Sequence, residues 1–183
     1  MIAYVSRGSK PSHDKKLRRE INMKVRTLVV NALIAALYIA VSALIVPFGF
    51  TNIQFRISEV FNHLIVFDKR YFFGIVIGVF LYNLLFSPLG WFDLVFGVAH
   101  SAISLAIIIL LAKYIKNIWV LLAANTIVFT FNMFIIAFEL KLALQLPFLL
   151  TWFTTAVGEF VVLAIGIPII YALNKRLKFN RLM

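Results

Sequence analysis

The sequence predicts an all-α membrane protein, a bundle of six transmembrane helices with both termini in the cytoplasm. The first observation is composition: of 183 residues, 63% are hydrophobic and only 14% are charged, which is far from the balance of a soluble domain. The second is that apolar runs of helix length follow one another along the chain, as a hydrocarbon core about 30 Å thick requires. The third is that positive charge gathers at the two ends and in two connections.

The net charge of +11 is explained by membrane topology and not by nucleic-acid binding. Of the 18 Lys and Arg residues, eight lie in residues 1–26 and four in residues 175–181. Basic segments that flank a membrane bundle are typical topology signals, and no nucleic-acid recognition motif accompanies them. The absence of Cys excludes disulfides, thiolate chemistry and Cys-based metal sites.

The chain is predicted to divide into one membrane domain and two tails. Residues 1–26 are a basic cytoplasmic tail, residues 27–174 the membrane domain, and residues 175–183 a second basic tail; Met23 is an alternative start that the sequence leaves open. The six predicted spans cover about 27–48, 55–68, 71–86, 91–113, 118–138 and 147–173.

The first span contains small side chains at every fourth position, Ala32, Ala36 and Ala40. This spacing places them along one stripe of the helix, where another helix can approach closely. The alternative is that alanine is simply common in membrane helices.

The second span, FRISEVFNHLIVFD, is short and mixed, so it cannot face lipid on all sides. In an α-helix, Glu59 shares one face with Asn62 and His63, which follow it by three and four residues, and Arg56 precedes it by one turn. This polar stripe is expected to point into the bundle. Arg56 and Glu59 either pair with each other or present one partner to a polar ligand.

Later spans add further polar candidates. Gly74 and Gly78 have the G-x-x-x-G spacing of closely packed membrane helices. Asp93, which follows the turn SPLG, either caps the fourth helix or contacts a ligand. Glu139 is expected in a polar turn, where it either pairs with Lys141 at the surface or reaches the site.

Glu159 differs from the other acids because it lies well inside the last apolar run with no basic neighbour in sequence. A carboxyl group in that position accepts hydrogen bonds from ligand N–H groups or a distant Arg, or is protonated. An ionisable group within a membrane segment usually has a function, since its burial is costly.

Charge counting orients the bundle. The two tails with Lys69, Arg70, Lys113 and Lys116 hold 16 positive residues on one side, against Arg56 and Lys141 on the other, which predicts cytoplasmic termini. The candidate site then opens outward. Its predicted substrate-binding residues are Arg56, Glu59, Asn83, Asp93, Glu139, Trp152 and Glu159.

No enzyme motif is present. The sequence contains no G-x-S-x-G, no H-E-x-x-H and no phosphate-binding glycine loop, so no catalytic residue and no metal site are predicted. His63 and His100 are expected to be hydrogen-bonded helix residues. Carboxylates and amides in an aromatic-rich pocket suit a flat, nitrogen-rich heterocycle.

Four strings resemble the QueT family of membrane proteins: IQFRISE at 53–59, F-D-x-R-Y at 67–71, NLLFSPLGWFDLVFG at 83–97 and GE at 158–159. The similarity covers about residues 23–173. Members of this family are substrate-binding S components of energy-coupling factor (ECF) transporters, a vitamin-uptake branch of the ABC transporters.

The resemblance implies a six-helix S component in a prokaryotic cell membrane that captures a scarce metabolite outside the cell. Its implied partners are a transmembrane T component, contacted by Ala32, Ala36 and Ala40, and two cytoplasmic ATPases that bind the ATP, so the chain itself needs no cofactor. The implied substrate is a queuosine precursor of the 7-deazaguanine type. The alternatives are an S component for pyridoxine or hydroxymethylpyrimidine, and a stand-alone small-solute transporter or channel.

Overall fold

The computed structural model describes residues 13–44 and 56–183, with the side chains of the first helix described from Glu20 onward. Within these residues every regular element is helical, as predicted, and there is no strand. The elements are α1 (His13–Leu44), a 3-10 helix (Ile57–Val66), α2 (Tyr71–Phe86), α3 (Trp91–Leu111), α4 (Ile118–Asn132), α5 (Phe134–Leu144), α6 (Phe148–Leu177) and a short 3-10 turn (Phe179–Arg181).

Within the described ranges, 13–44 and 56–183, four helical segments are long and apolar enough to cross a membrane, as expected of a multi-pass membrane protein. They are Glu20–Leu44, Trp91–Leu111, Ile118–Leu144 and Phe148–Leu177. The third combines α4 and α5, which continue one another across a break at Met133. Two further apolar helices, Ile57–Val66 and Tyr71–Phe86, are shorter.

The observed helices extend beyond some predicted limits. Helix α1 begins at His13, so the basic segment from there to residue 26 is helical. The predicted end of the first span, residues 45–48, and the start of the second, residue 55, lie outside the described residues. At the other terminus α6 continues to Leu177, and the residues after it fold back onto the bundle.

Helices α1 and α2 approach each other closely at the two glycines of the G-x-x-x-G motif, which confirms that prediction. A Cβ atom at Gly74 would lie only 2.6 Å from Asn31 Oδ1, and one at Gly78 only 2.9 Å from Tyr38 Cβ. The space left by the missing side chain also allows the Gly74 backbone N–H to donate to Asn31 Oδ1 at 2.8 Å. Larger residues would force the two helices apart.

The 3-10 helix lies in the middle of the bundle, in contact with α1, α2, α3, α4 and α6. At about 2.0 Å per residue it covers more depth than an α-helix of the same length. Its ten residues include four buried polar side chains, Ser58, Glu59, Asn62 and His63. Because protein surrounds this segment, its polar groups are shielded from lipid.

The 3-10 geometry changes which side chains share a face. With three residues per turn, positions three apart are aligned, whereas positions four apart differ by about 120°. Glu59 and Asn62 therefore lie on one face and interact directly. The prediction that His63 shares this face assumed α-helical geometry and was wrong, since His63 instead faces Asn125 on α4 and the Leu163 carbonyl on α6.

One end of the bundle contains the C-terminal segment. Lys178, in the left-handed conformation (φ 52°), reverses the chain after α6, and the next residue, Phe179, is buried. Its carbonyl accepts a hydrogen bond from the Tyr71 hydroxyl at 3.0 Å, and Arg26 donates to the Arg181 carbonyl. These contacts bring the C-terminal residues close to Arg26 on α1 and to the start of α2.

The turn between the 3-10 helix and α2 is at that same end, since Phe67 packs against Phe179. Arg70 donates to both carboxyl oxygens of Asp68, at 3.0 and 2.7 Å, and its side chain is 40% exposed. Partial burial favours a higher pKa for Asp68, but the hydrogen bonds from Arg70 outweigh it and hold that pKa below its ordinary value.

The opposite end is formed by the α2–α3 and α5–α6 connections. Leu89 and Leu146, from these two connections, pack on a small apolar cluster of Met133, Ile136 and Leu140. Gly90 begins α3 with φ of 60°, a conformation that residues with a side chain rarely adopt.

Candidate functional site

The predicted polar residues converge inside the bundle. Six of the seven candidates are buried: Arg56, Glu59, Asn83, Asp93, Glu139 and Glu159. Their four carboxyl groups come from four different elements, the 3-10 helix, α3, α5 and α6. Arg56 is the only Lys or Arg among the buried residues of the described part of the chain.

Arg56 and Asp93 form a buried ion pair, with 3.7 Å between the guanidinium Nη2 and Oδ1. The other oxygen of Asp93 accepts a hydrogen bond from the Ser87 hydroxyl. Asn83 adds an amide donor at 2.9 Å to the Asp93 carbonyl. The partners of the Asp93 carboxylate, Arg56 and Ser87, both lie outside α3, so Asp93 contacts Arg56 and is not used as a cap of that helix.

A glycine makes room for this arrangement. A Cβ atom at Gly97 would lie 2.6 Å from Asn83 Nδ2 and 3.9 Å from Arg56 Nη1. Any larger residue there would displace the Asn83 amide, and through it the start of α3.

Glu59 is held by donors from its own chain. The Tyr38 hydroxyl on α1 donates to Oε1 at 2.7 Å, and Asn62 donates to Oε2. A second contact between α1 and the 3-10 helix, from Ser42 Oγ to Ser58 Oγ at 2.6 Å, lies beside them. Arg56 interacts electrostatically with Glu59 as well as with Asp93. The two alternatives for Glu59, an internal pair with Arg56 and a contact with a ligand, therefore both stay open.

The surroundings of Glu139 differ from those predicted. The sequence placed it in a polar turn near Lys141, but both residues lie within α5, where Glu139 is fully buried and Lys141 is exposed. The reason is that the apolar run continues through FIIAFELKLAL, which keeps the backbone helical and turns the two charges to different faces. The surface pair with Lys141 is therefore wrong.

Within residues 13–44 and 56–183, no N–H or O–H group of an ordinary donor side chain or of the backbone reaches either carboxyl oxygen of Glu139. Its carboxyl group lies beside that of Asp93 and interacts electrostatically with Arg56. Two ionised carboxylates are both acceptors and cannot satisfy each other without a proton. The hydrogen-bonding contact between Glu139 and Asp93 therefore requires a proton on one of the two acids.

Glu159 is on α6, on the side of the cluster that contains Glu59. It is 1% exposed, and none of the residues that the structure describes donates a hydrogen bond to its Oε1. It interacts electrostatically with Glu59 and Arg56. The cluster therefore contains two pairs of acids, Asp93 with Glu139 and Glu59 with Glu159. In each pair the first carboxyl group accepts hydrogen bonds from donor side chains, and the second keeps an oxygen without such a donor among the described residues.

His63 and His100 are hydrogen-bonded helix residues, as predicted. His63 Nε2 donates to the Leu163 carbonyl at 2.9 Å, and its Nδ1 accepts from the Asn125 amide at 3.0 Å. His100 Nε2 donates to the Phe129 carbonyl at 3.2 Å. These contacts join the 3-10 helix to α4 and α6, and α3 to α4.

Trp152 has different surroundings from the other candidates. Its indole N–H donates to the Phe131 carbonyl at 3.1 Å, and its ring packs against Phe131, Phe134 and Phe148. It borders an apolar groove of about 440 Å³ between α4 and α6. The structure gives Trp152 apolar and backbone contacts, and its role as a ligand contact stays a prediction.

Sequence reasoning missed two contributors, Tyr38 and Ser87. Tyr38 is buried in the first span, where Asn31, seven residues before it, and Ser42, four residues after it, mark the same inward face. That spacing of polar residues in an apolar run was a usable signal. Ser87 had none, because its contact with Asp93 depends on how the SPLG turn folds.

Comparison with known proteins gives two matches. Residues 28–175 match the model of a family described as QueT transporter. The queuosine precursor transporter QueT of Lactococcus lactis subsp. cremoris (strain MG1363) is 34% identical over 167 residues, which cover 86% of this chain and 98% of that relative. No solved structure matches the chain.

Proposed function

The chain belongs to the QueT transporter family, and from this premise we propose that it is the substrate-binding S component of an ECF-type importer. It captures a queuosine precursor of the 7-deazaguanine type outside the cell. Release inward is driven by partner subunits. The chain has no catalytic role of its own, and the ATP is bound by the partner ATPases.

The observation that carries this proposal is the buried carboxyl cluster around Arg56. Unsatisfied polar groups are expensive inside a protein and more so within a membrane. Two of these four carboxyl groups, Glu139 and Glu159, retain oxygens that receive no hydrogen bond from a donor in the described part of the chain. A ligand that brings N–H groups supplies the missing donors, so the site is suited to a nitrogen-rich molecule.

A guanine-like heterocycle fits this chemistry. Its Watson–Crick edge presents adjacent ring and amino N–H donors, which one carboxylate accepts in a bidentate arrangement. We assign this role to Glu159 because its Oε1 receives no hydrogen bond from the described residues, whereas neighbouring Glu59 already has two donors. The relative from Lactococcus lactis is named for a queuosine precursor, which supports the same class of substrate.

The proposed topology has six spans in a membrane domain covering residues 27–174, with basic tails at 1–26 and 175–183 in the cytoplasm. The short 3-10 helix and α2 cross the membrane within the bundle, packed against longer helices. The basic turn at 68–70 is at the same end as Arg26 and the C-terminal residues, as the positive-inside rule requires.

The partners are a transmembrane T component and two cytoplasmic ATPases. The face of α1 that packs inside the bundle contains Asn31, Ile34, Tyr38 and Ser42. The alanine stripe points the other way, since Ala32, Ala36 and Ala40 are all exposed. An exposed stripe of small residues allows close approach of a partner helix, and we assign it to the T component.

Replacing Ala36 with Leu is expected to weaken assembly with the T component while leaving ligand binding nearly unchanged, because the added side chain prevents close helix approach. Co-purification of the complex, with calorimetry on the isolated chain, measures both effects. Ala106→Leu, at an exposed alanine of α3, is the matched control and should assemble normally. Equal loss of assembly and binding would indicate misfolding and remove Ala36 from the interface.

Reconstitution into liposomes tests the proposed function as a whole. The purified chain alone should bind a 7-deazaguanine but transport none of it, and uptake should require the T component, the ATPases and ATP. Robust uptake by the chain alone would establish a stand-alone transporter instead. Mass spectrometry of the molecule that co-purifies with the chain distinguishes a 7-deazaguanine from pyridoxine or hydroxymethylpyrimidine.

A further inference from the structure

We propose that Trp152 and His100 are positioning residues, which hold the break between α4 and α5 and thereby place Glu139 against Asp93. Neither side chain needs to touch a ligand for this role, because both act through the orientation of α5. The inference deepens the proposed function, and its consequence for ligand affinity rests on that function.

The break at Met133 is not explained by the local sequence. It interrupts a segment, Ile118–Leu144, that contains no proline and no glycine. Sharp changes in a helix occur mainly at proline or glycine, or where another side chain enters the ladder of backbone hydrogen bonds. The Met133 N–H donates to the Thr130 carbonyl at 3.3 Å, three residues back instead of the four of an α-helix. The cause is therefore expected among side chains of neighbouring helices.

Side chains from two other helices bind carbonyl groups at the end of α4. The last four carbonyls of an α-helix have no partner within that helix. The indole N–H of Trp152 on α6 donates to the Phe131 carbonyl at 3.1 Å. His100 Nε2 on α3 donates to the Phe129 carbonyl at 3.2 Å. Since the hydrocarbon region of a membrane offers no water to replace these donors, both hydrogen bonds stabilise the interrupted backbone.

The Trp152 ring also contacts both sides of the break. It packs against Phe131 at the end of α4 and against Phe134 at the start of α5, with ring centroids 5.6 and 6.3 Å apart. The same side chain packs on the apolar cluster that contains Met133 and Leu140. One residue of α6 therefore fixes the end of α4 through its N–H group and the start of α5 through its ring.

The orientation of α5 determines where Glu139 points. Glu139 lies in the middle of this eleven-residue helix and is fully buried beside Asp93. Lys141, two residues later, is exposed on another face. Because the backbone ladder is interrupted at Met133, α4 alone does not fix the direction of α5. A tilt of α5 about the break would move Glu139 away from Asp93, so the donors at the break control the geometry of the carboxyl cluster.

A reporter thiol tests this inference, since the chain contains no cysteine of its own. Ala137→Cys places a thiol on the buried face of α5, and Val79→Cys places one in the buried part of α2. Adding Trp152→Phe, which keeps an aromatic ring but removes the N–H, should make a water-soluble maleimide react at least about fivefold faster with the α5 thiol, as expected for the loss of one hydrogen bond. The α2 thiol should change by less than about twofold, because the opening is local.

Two further substitutions serve as controls. His100→Gln keeps an N–H donor the same number of bonds from the backbone and should retain the slow rate, whereas His100→Leu should be as fast as Trp152→Phe. Trp119→Phe makes the same change at an exposed tryptophan of α4 that packs against Tyr171, and it should alter neither rate. Hydrogen–deuterium exchange of residues 134–144 in Trp152→Phe measures the same opening without a reporter thiol.

Calorimetry with 7-deazaguanine connects the opening to the site. Trp152→Phe should weaken binding about three- to tenfold, because part of the population then has Glu139 displaced. Faster labelling of the α5 thiol with unchanged affinity would overturn the role of the break in the site. A wild-type chain that does not bind 7-deazaguanine contradicts the proposed function, whereas the labelling rates still decide the inference.

The labelling rates can contradict the inference in three ways. An unchanged rate for the α5 thiol in Trp152→Phe overturns it. Equal acceleration of the α2 and α5 thiols indicates a general loss of stability and overturns it as well. A His100→Gln protein that opens as readily as His100→Leu shows that the N–H donor is not what holds the break.

Discussion

Replacing Arg56 with Met is expected to lower the free energy of unfolding by about 3 to 5 kcal/mol, the cost of breaking one buried ion pair. The guanidinium is 3.7 Å from Asp93 Oδ1, and both side chains are almost fully buried. Its loss leaves Asp93 as an uncompensated charge beside a second acid, Glu139. Unfolding of the detergent-solubilised protein, followed by circular dichroism, measures the effect.

Two variants separate the charge from the bulk of the side chain. The double variant Arg56→Met with Asp93→Asn removes both charges and should recover most of the lost stability, because breaking a pair costs more than removing it entirely. Arg70→Met breaks the half-exposed pair with Asp68 and should cost less than about 1 kcal/mol. A double variant as unstable as Arg56→Met would show that packing, and not charge, explains the loss.

The second large effect is expected on ligand affinity. Replacing Glu159 with Gln should weaken binding of a 7-deazaguanine about 10- to 100-fold, which corresponds to roughly 1.5 to 3 kcal/mol for a hydrogen bond to a charged group. The physical reason is that the amide has one acceptor oxygen in place of two and presents an N–H where the ligand also presents one. Isothermal titration calorimetry on the purified chain provides the dissociation constants.

The control for this measurement is Glu20→Gln, the same chemical change at an exposed position of α1, which should not alter affinity. Thermal unfolding of both variants checks that the fold is retained. Unchanged affinity in Glu159→Gln would remove this residue from the site. Reduced stability with normal affinity would assign it a structural role.

The fold was largely predictable because membrane helices can be recognised in a sequence by their length and hydropathy. The close contact at Gly74 and Gly78 was also predictable, since only small residues permit such an approach. The 3-10 geometry of Ile57–Val66 was not. The local sequence does not distinguish an α-helix from a 3-10 helix here. The helices that pack around this segment determine which of the two it forms.

The candidate site was predictable as a set of residues but not as a set of contacts. Glu59 and Asp93 were identified because a charged side chain in an apolar run raises the free energy of membrane insertion. The residue that binds Glu59 was not identified, since Tyr38 lies 21 positions earlier in the chain. Glu139 was expected in a turn because two charged residues close together, Glu139 and Lys141, usually lie at a protein surface, but both are within α5. Which carboxyl groups retain free oxygens follows from long-range packing, which no local pattern contains.

By itself, the sequence determined that this chain is a helical membrane protein with several acids and one arginine in its apolar runs, because hydrocarbon sets the length and composition of each span. Only the tertiary structure decided that these groups meet, that Arg56 pairs with Asp93, and that Glu139 is buried beside Asp93. The physical reason is that the free energy of transfer into hydrocarbon is a property of each residue and can be read from the sequence. Hydrogen bonds and ion pairs instead require two groups from distant segments, which come together only when the helices pack.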